Sequence, residues 1–510
     1  MVPEAPRAQP AACVSSETVV CLATGGVRGA VEADVVSFRG IPYAEPPLDS
    51  LRWRPPQPAK AWTGVRDATV FGPVCPQLSG GDVIGDEDCL RLNVWTPRER
   101  TGRARPVMVY LTGGGNFGQS GKGGGGANFV GTRLVPEGVV LVTVNIRLGA
   151  LGFLSLPALD AESERHVSGN YGSQDHIAML RWVQQHIRAF GGDPDRVFLF
   201  GTSAGGASVC GLMTSPLARG LFHAAAMESS VPTGCEFQTR AQAQDRTGAR
   251  LVAATGCDHR TDAAVCLRKK SPKDLVTALR AVTDLFPRTY GPIVDGYVFP
   301  DQPIKRLAAG QRERMPLIIG NNLEEAASWV DSLGPLTDGD TYRAALERVL
   351  GADLRDRVVA QYPLSRFSTP REALVRAMTD ALFTCATRRV TRAVMQGGGG
   401  PVYRYLFTYH HENAPANAVG HSVEMPFLFQ SWTDYKAGPG DRAVSEHMIG
   451  FWTRLAKTGN PTSGASEAWT PVSAKESPYL RIDARFAMMP GDADAKCDFW
   501  DSVALPSPHL

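Results

Sequence analysis

Val197-Phe198-Leu199-Phe200-Gly201-Thr202-Ser203-Ala204-Gly205 is the stretch on which the reading turns. Its first four residues are apolar and suit a strand buried on both faces. Gly201 to Gly205 fits a G-x-S-x-G elbow, and 204–214 can start a helix directly after it. The pattern alone is weak in a chain with 53 glycines; its place between a strand and a helix gives it weight. A strand–turn–helix forces the serine into a strained conformation, and glycine on both sides lets the backbone cross so closely. The hydroxyl is then presented at a helix N-terminus, whose dipole favours developing negative charge. The competing reading is an ordinary glycine-rich turn.

Working outward, short apolar runs recur at 107–111, 139–146, 316–319, 402–407 and 479–482. Helix-period stretches lie between several of them. Over 174–190, Ile177, Leu180, Val183, Ile187 and Phe190 step by three or four onto one face. A second helix is expected over 441–458, closed by Gly459 and Pro461. Strands alternating with helices imply a mostly parallel sheet covered on both faces. The 510 residues would suggest about three domains by length. No stretch is long and polar enough to divide them, so one large domain over 1–510 is expected, with a flexible N-terminus over 1–15.

Composition excludes several classes. Hydrophobic residues at 43% and charged residues at 20% mark a globular chain. The net charge of +2 advertises no polyanionic partner, so nucleic-acid binding is disfavoured. No apolar run approaches the ~18 residues of a membrane span. Ten cysteines without a Cys-x-x-Cys exclude zinc ribbons and thioredoxin-like motifs. No apolar core of a signal peptide appears in 1–10.

A serine nucleophile needs a base and an orienting acid, here in the chain order Ser, acid, His. Among the histidines after Ser203, His421 sits in a loop signature between the 402–407 run and an apolar run at 425–429, whereas His447 falls inside a helical pattern. Glu324 and Glu325 both follow the 316–319 strand and Gly320, a strand-end position where α/β sheets present functional side chains. Spacing alone does not choose between them. The 107–111 run enters Thr112-Gly113-Gly114-Gly115, whose bare N–H groups can point into a site and stabilise an oxyanion. Gly113–Gly118 formally satisfies a dinucleotide fingerprint, but no helical pattern follows and the next strand ends at Asn145 rather than at an acid. A phosphate loop fails too, because Gly123 follows Lys122 and Asn116 occupies the first glycine position.

These residues carry a resemblance that spans nearly the whole chain. Phe38-Arg39-Gly40-Ile41-Pro42-Tyr43-Ala44-Glu45-Pro46-Pro47 and Glu87-Asp88-Cys89-Leu90-Arg91-Leu92-Asn93-Val94-Trp95 resemble signatures of the type-B carboxylesterase/lipase family, α/β-hydrolases that include the cholinesterases. Asn145-Ile146-Arg147-Leu148-Gly149, Gly169-Asn170-Tyr171-Gly172 and Phe190-Gly191-Gly192-Asp193-Pro194 are similar to further family stretches. The resemblance implies an α/β-hydrolase fold, with insertions around the site, and a serine carboxylic-ester hydrolase without cofactor or metal. It implies Glu325 as the acid and His421 as the base, the latter in His421-Ser422-Val423-Glu424-Met425-Pro426-Phe427-Leu428-Phe429. The implied oxyanion donors are the N–H groups of Gly114, Gly115 and Ala204. The elbow departs from the family in carrying Thr202 where Glu is usual, and Glu228-Ser229-Ser230 replaces Gln-Ser-Gly. A carboxylate near the nucleophile is thereby moved, so Thr202, Glu228, Ser229 and Glu424 are expected to surround the triad. Ala326 and Asn116 are further departures, which alter the pocket lining.

The same resemblance implies disulfides Cys75–Cys89, Cys257–Cys266 and Cys385–Cys497. A Cys13–Cys21 pair is open, and Cys210 and Cys235 are expected as buried free thiols, their pairing with each other also left open. Disulfides imply an oxidising compartment, so a secreted or periplasmic protein whose leader has been removed is expected. Substrate is less legible. In cholinesterases a Trp in the first disulfide loop binds quaternary ammonium; here residues 76–88 contain no aromatic side chain, which disfavours choline esters. Lys122 and Arg133 near the glycine-rich loop would suit an acidic ester if they faced the mouth; the favoured reading is solvated surface charges beside a general ester pocket. The 157–172 stretch resembles bacterial members that hydrolyse tricarballylate esters of fumonisin, so a bulky or polycarboxylate ester is one expectation. The alternative class is a non-catalytic hydrolase-fold adhesion module.

Overall fold

The computed structural model describes residues 13–503 and 505, apart from 101, 119, 125, 231–234, 259–261, 280–289, 415–418, 463–467, 474 and 492–495. The N-terminal stretch expected to be flexible lies outside the described residues as far as position 12.

Eleven strands form the central sheet: β1 (Ala30–Glu32), β2 (Val35–Pro42), β3 (Arg91–Pro97), β4 (Arg105–Leu111), β5 (Val140–Val144), β6 (Gly192–Thr202), β7 (Ala224–Glu228), β8 (Leu317–Asn322), β9 (Val402–Phe407), β10 (Tyr479–Ile482) and β11 (Ala487–Met489). Their spatial order is β11-β10-β9-β8-β7-β6-β4-β5-β3-β2-β1. The pairs from β5 to β10 are parallel, and the strands at both edges are antiparallel. β4 lies between β5 and β6, so chain order reverses there. The crevice beyond the carboxyl ends of strands at such a switch point is where open α/β sheets hold ligands.

Alternation along the central strands builds two cores. Val107, Val109, Leu111, Val197 and Leu199 face α1 (Tyr171–His186) and α2 (Ala204–Thr214), whereas Met108, Tyr110, Phe198 and Phe200 face α3 (Pro439–Thr458). Both faces are therefore covered, as continuous apolar strands require. The architecture is the α/β-hydrolase fold. A third cluster, including Leu346, Leu374, Phe383 and Trp500, stands apart under helices between 327 and 501.

Several boundaries differ from the periodicity. α1 starts at Tyr171 rather than 174 and ends at His186, followed by a 3₁₀ turn over Ile187–Phe190. Gly191 at φ 78° closes that turn, its amide bonding to the Arg188 carbonyl. β8 runs past Gly320 to Asn322, two residues into the segment read as a strand-end loop.

All ten cysteines are paired: Cys13–Cys21, Cys75–Cys89, Cys210–Cys235, Cys257–Cys266 and Cys385–Cys497. Cys210 and Cys235 are thus not free thiols. They lie 25 residues apart in sequence, yet α2 and the segment after β7 bring their Cα atoms within 5.9 Å. Among the described residues, no helix is long and apolar enough to cross a membrane.

Candidate active site

β6 ends in the elbow. Ser203 adopts φ 58° and ψ −122°, a region that L-residues rarely occupy and that persists only where the surroundings enforce it. The enforcement is visible on both sides. The Ser203 N–H donates to the Glu228 carbonyl at 2.9 Å, and the Ser203 carbonyl accepts from Ala207 N–H at 3.0 Å. A Cβ on Gly205 would lie 2.0 Å from the Leu111 carbonyl oxygen, and one on Gly201 would lie 2.8 Å from both Leu111 O and the Gly205 carbonyl carbon. The flanking glycines are therefore required by contact with β4, not merely by the turn. Ser203 is 7% exposed at the head of α2.

The loop after β4 passes directly over this elbow. A Cβ on Gly113 would meet Ser203 Cβ at 3.0 Å. Gly114 and Gly115 follow at φ 102° and 63°, a turn in which the Gly114 carbonyl accepts from the N–H groups of Phe117 and Gly118. Gly114, Gly115, Ala204, Ser203 and His421 line one cavity of about 420 Å³.

His421 reaches that cavity from the loop after β9. Its Nδ1 lies 2.6 Å from Oε2 of Glu325, a fully buried carboxylate. The other carboxylate oxygen, Oε1, accepts from the Asn322 N–H at 2.7 Å. The rings of Trp329 and Phe383 lie 4.8 Å and 5.3 Å from the imidazole. Glu324, the rival acid, is used elsewhere: its Oε2 accepts from Val419 N–H at 2.8 Å.

Behind the elbow lie two more buried carboxyls. Glu228 Oε1 accepts from Trp452 Nε1–H, and its Oε2 lies 3.3 Å from the Thr202 hydroxyl. That hydroxyl is also 2.8 Å from Met425 Sδ. Glu424 accepts from Ser229 Oγ–H at 2.6 Å and from Asn322 Nδ2–H at 2.5 Å. Burial, and secondarily the charge of Glu424, pushes the Glu228 carboxyl up to about 8. Burial and then Glu325 raise Glu424 to about 7. The carboxyl absent at 202 thus stands at 228, one strand away but within reach of the same backbone turn.

Sequence reasoning missed the supporting groups Asn322, Trp329, Phe383, Met425 and Trp452. Asn322, Trp329, Phe383 and Trp452 arrive from elements outside the local patterns around Ser203 and His421, whereas Met425 stands within the His421 stretch and its contact with the Thr202 hydroxyl is what the pattern does not show. Lys122 and Arg133 are both exposed and neither lines the cavity, in keeping with solvated surface charges rather than a cationic mouth. The Gly121 N–H bonds to Asn145 Oδ1 and its carbonyl to the Thr143 hydroxyl, a turn that leaves the Lys122 ammonium 6.0 Å from the Phe71 ring. The cavity is lined instead by apolar side chains such as Leu78, Phe117, Phe237, Leu275, Leu279 and Tyr290. Among its described lining residues, Glu236 is the one acidic side chain and no Lys or Arg occurs. Among the described residues, no group of three or more His, Cys, Asp or Glu is placed to hold a metal ion.

The carboxylesterase family model matches residues 16–500. A fumonisin B1 esterase of Sphingopyxis macrogoltabida is 35% identical over 88% of this chain and 83% of its own length. A para-nitrobenzyl esterase of Bacillus subtilis is 34% identical over 92% of this chain and 96% of its own. A solved PNB esterase structure superposes with a TM-score of 0.80 at 32% identity, covering 95% of this chain and all of that one.

Proposed function

We propose, from the premise that the chain belongs to the carboxylesterase family and is a carboxylic ester hydrolase, that it works through an acyl-enzyme on Ser203. The observation that carries this reading is the His421–Glu325 contact within the cavity that Ser203 also lines. Glu325 holds Nδ1–H and leaves Nε2 as the base. His421 takes the Ser203 proton as Oγ attacks the ester carbonyl. The Gly114, Gly115 and Ala204 N–H groups receive the oxyanion, each such donor contributing about 3–4 kcal/mol in related sites. The tetrahedral adduct collapses, His421 protonates the leaving alcohol, and a water molecule repeats the sequence on the acyl-enzyme. Thr202, Glu228, Ser229 and Glu424 act as positioning residues: Glu228 holds the elbow through its carbonyl and side chain, and Glu424 ties Ser229, in the bend after β7, to Asn322 at the end of β8, three residues before Glu325.

The lining favours a bulky ester whose apolar part enters the cavity. A polycarboxylate ester such as fumonisin is the second reading, supported by the similarity to the fumonisin B1 esterase; the described lining offers its acid groups no cationic partner. The whole of 1–510 is read as one hydrolase domain. The five disulfides support a secreted or periplasmic location. A non-catalytic adhesion module would not need Ser203, His421 and Glu325 together.

Ser203→Ala tests the reading. Turnover of a p-nitrophenyl ester should fall by at least about 10⁴-fold, the scale of loss when such a nucleophile is removed, with the thermal unfolding midpoint unchanged. Retention of most activity would exclude Ser203 as the nucleophile.

A further inference from the structure

The Cys210–Cys235 bond joins two functional parts of the molecule. Cys210 lies in α2, seven residues after Ser203, and is fully buried. Cys235 is the single half-cystine that lines the catalytic cavity, at the start of a wall continued by Glu236, Phe237 and Gln238. The other four bonds have both sulfurs outside the lining.

The wall is also held by a neighbouring segment of the chain, which reaches the C-terminal end of α2 through Ser215 Oγ–H on the Val298 carbonyl and Arg306 Nε–H on the Thr214 carbonyl. Phe237 exchanges hydrogen bonds with the Gln302 side chain, its N–H donating at 2.8 Å and its carbonyl accepting at 2.7 Å. The Cys235 carbonyl accepts from Ile304 N–H at 3.1 Å. Gln238–Thr239 pairs with Ile293–Val294. All of these tie the wall to residues between 293 and 304. Towards α2 itself the wall also makes a close apolar approach. A Cβ on Gly211 would come within 2.9–3.0 Å of the Phe299 and Phe237 rings. Those two rings pack edge to face at 5.1 Å.

We infer that the Cys210–Cys235 disulfide is a specificity clamp: it fixes the pocket wall at 235–238 to the nucleophile helix and thereby sets which esters bind. The inference rests on the reading of Ser203 as the nucleophile of this cavity. An ester large enough to touch the wall meets a surface already ordered, so its binding is not reduced by the loss of wall entropy. An ester too small to reach the wall is indifferent to the clamp. Ser203 keeps its own restraints, the bonds to Glu228 and Ala207, whether or not the disulfide is present. Loss of the clamp should therefore raise KM for large esters relative to KM for a compact one.

The test is the paired variant Cys210→Ala/Cys235→Ala, compared with the unaltered protein on three esters. These are p-nitrophenyl acetate as the compact case, p-nitrophenyl octanoate enlarged on the acyl side, and 2-naphthyl acetate enlarged on the alcohol side. KM for at least one large ester should rise about tenfold relative to KM for p-nitrophenyl acetate. A lower unfolding midpoint with all KM ratios unchanged would reduce the bond to a structural staple and overturn the clamp. An equal loss on all three esters would also overturn it, because the bond would then act on Ser203. If the variant does not accumulate folded, limited phosphine reduction of the native protein, alkylation and peptide mapping replace it. KM for the large ester should then rise in step with alkylation at Cys210 and Cys235, and alkylation there without a change in KM would contradict the clamp. Failure of the unaltered protein to turn over p-nitrophenyl acetate would instead sink the reading of the site, and the clamp with it.

Discussion

Glu228 touches the elbow twice, through its main-chain carbonyl on Ser203 N–H and its carboxyl beside Thr202. Burial raises that carboxyl to about 8, against roughly 4.3 for an unfolded chain. Between those values the folded state binds a proton that the unfolded state has released. Stability is therefore fully retained below about pH 4.3 and falls as the pH rises through 8, by up to about 1 kcal/mol per pH unit. Glu228→Gln keeps the acceptor for Trp452 without the titration. Its unfolding midpoint should match the parent near pH 4 and exceed it by a growing margin towards pH 8. Parallel midpoint–pH curves for the two proteins would show that Glu228 does not titrate in this range. None of this could be read from residues 201–205 alone, since the partner carboxyl arrives from the neighbouring strand.

At the scale of elements, the β6–α2 turn was the most legible part of the molecule. The apolar run, the two glycines and the helix 204–214 are all encoded within eighteen residues (197–214), and the helix spans Ala204–Thr214 as expected. What the pattern did not reveal is why the glycines are there. Gly205 faces the Leu111 carbonyl at the end of β4, with no flexible side chain to yield. Gly205→Ala should cost about 2–3 kcal/mol in urea denaturation and lower kcat, because relief requires the elbow or the glycine loop after β4 to move. Gly124→Ala is the control: its added Cβ meets nothing within 4 Å, and its cost should stay within about 0.5 kcal/mol. Equal costs at the two positions would mean that close packing of β4 on the elbow is not what fixes Gly205. The directions of Lys122 and Arg133 were left open for the converse reason, with solvated surface charges the favoured reading. Nearness in sequence to the glycine run does not say which way a loop turns once Asn145 and Thr143 hold it.

Across the whole molecule, long-range pairing was the hidden variable. Periodicity revealed the parallel sheet because each strand carries its own apolar signal, and β9 and β10 coincide with the runs read at 402–407 and 479–482. The apolar cavity is assembled from segments between 76 and 422, and no single one announces it. The Cys210–Cys235 bond was left open for the same reason: a distance of 5.9 Å between Cα atoms depends on how α2 meets a strand-end loop. His421 and Glu325 could be paired from sequence only by resemblance, yet they meet at 2.6 Å because β8 and β9 are adjacent and parallel. The central claim is that these parts converge on one reactive hydroxyl. Labelling with a fluorophosphonate, followed by peptide mass spectrometry, tests it most directly. The account predicts one adduct per chain, on Ser203, formed in proportion to the loss of esterase activity. Activity lost while Ser203 stays unlabelled, or Ser203 fully labelled while activity persists, would contradict it.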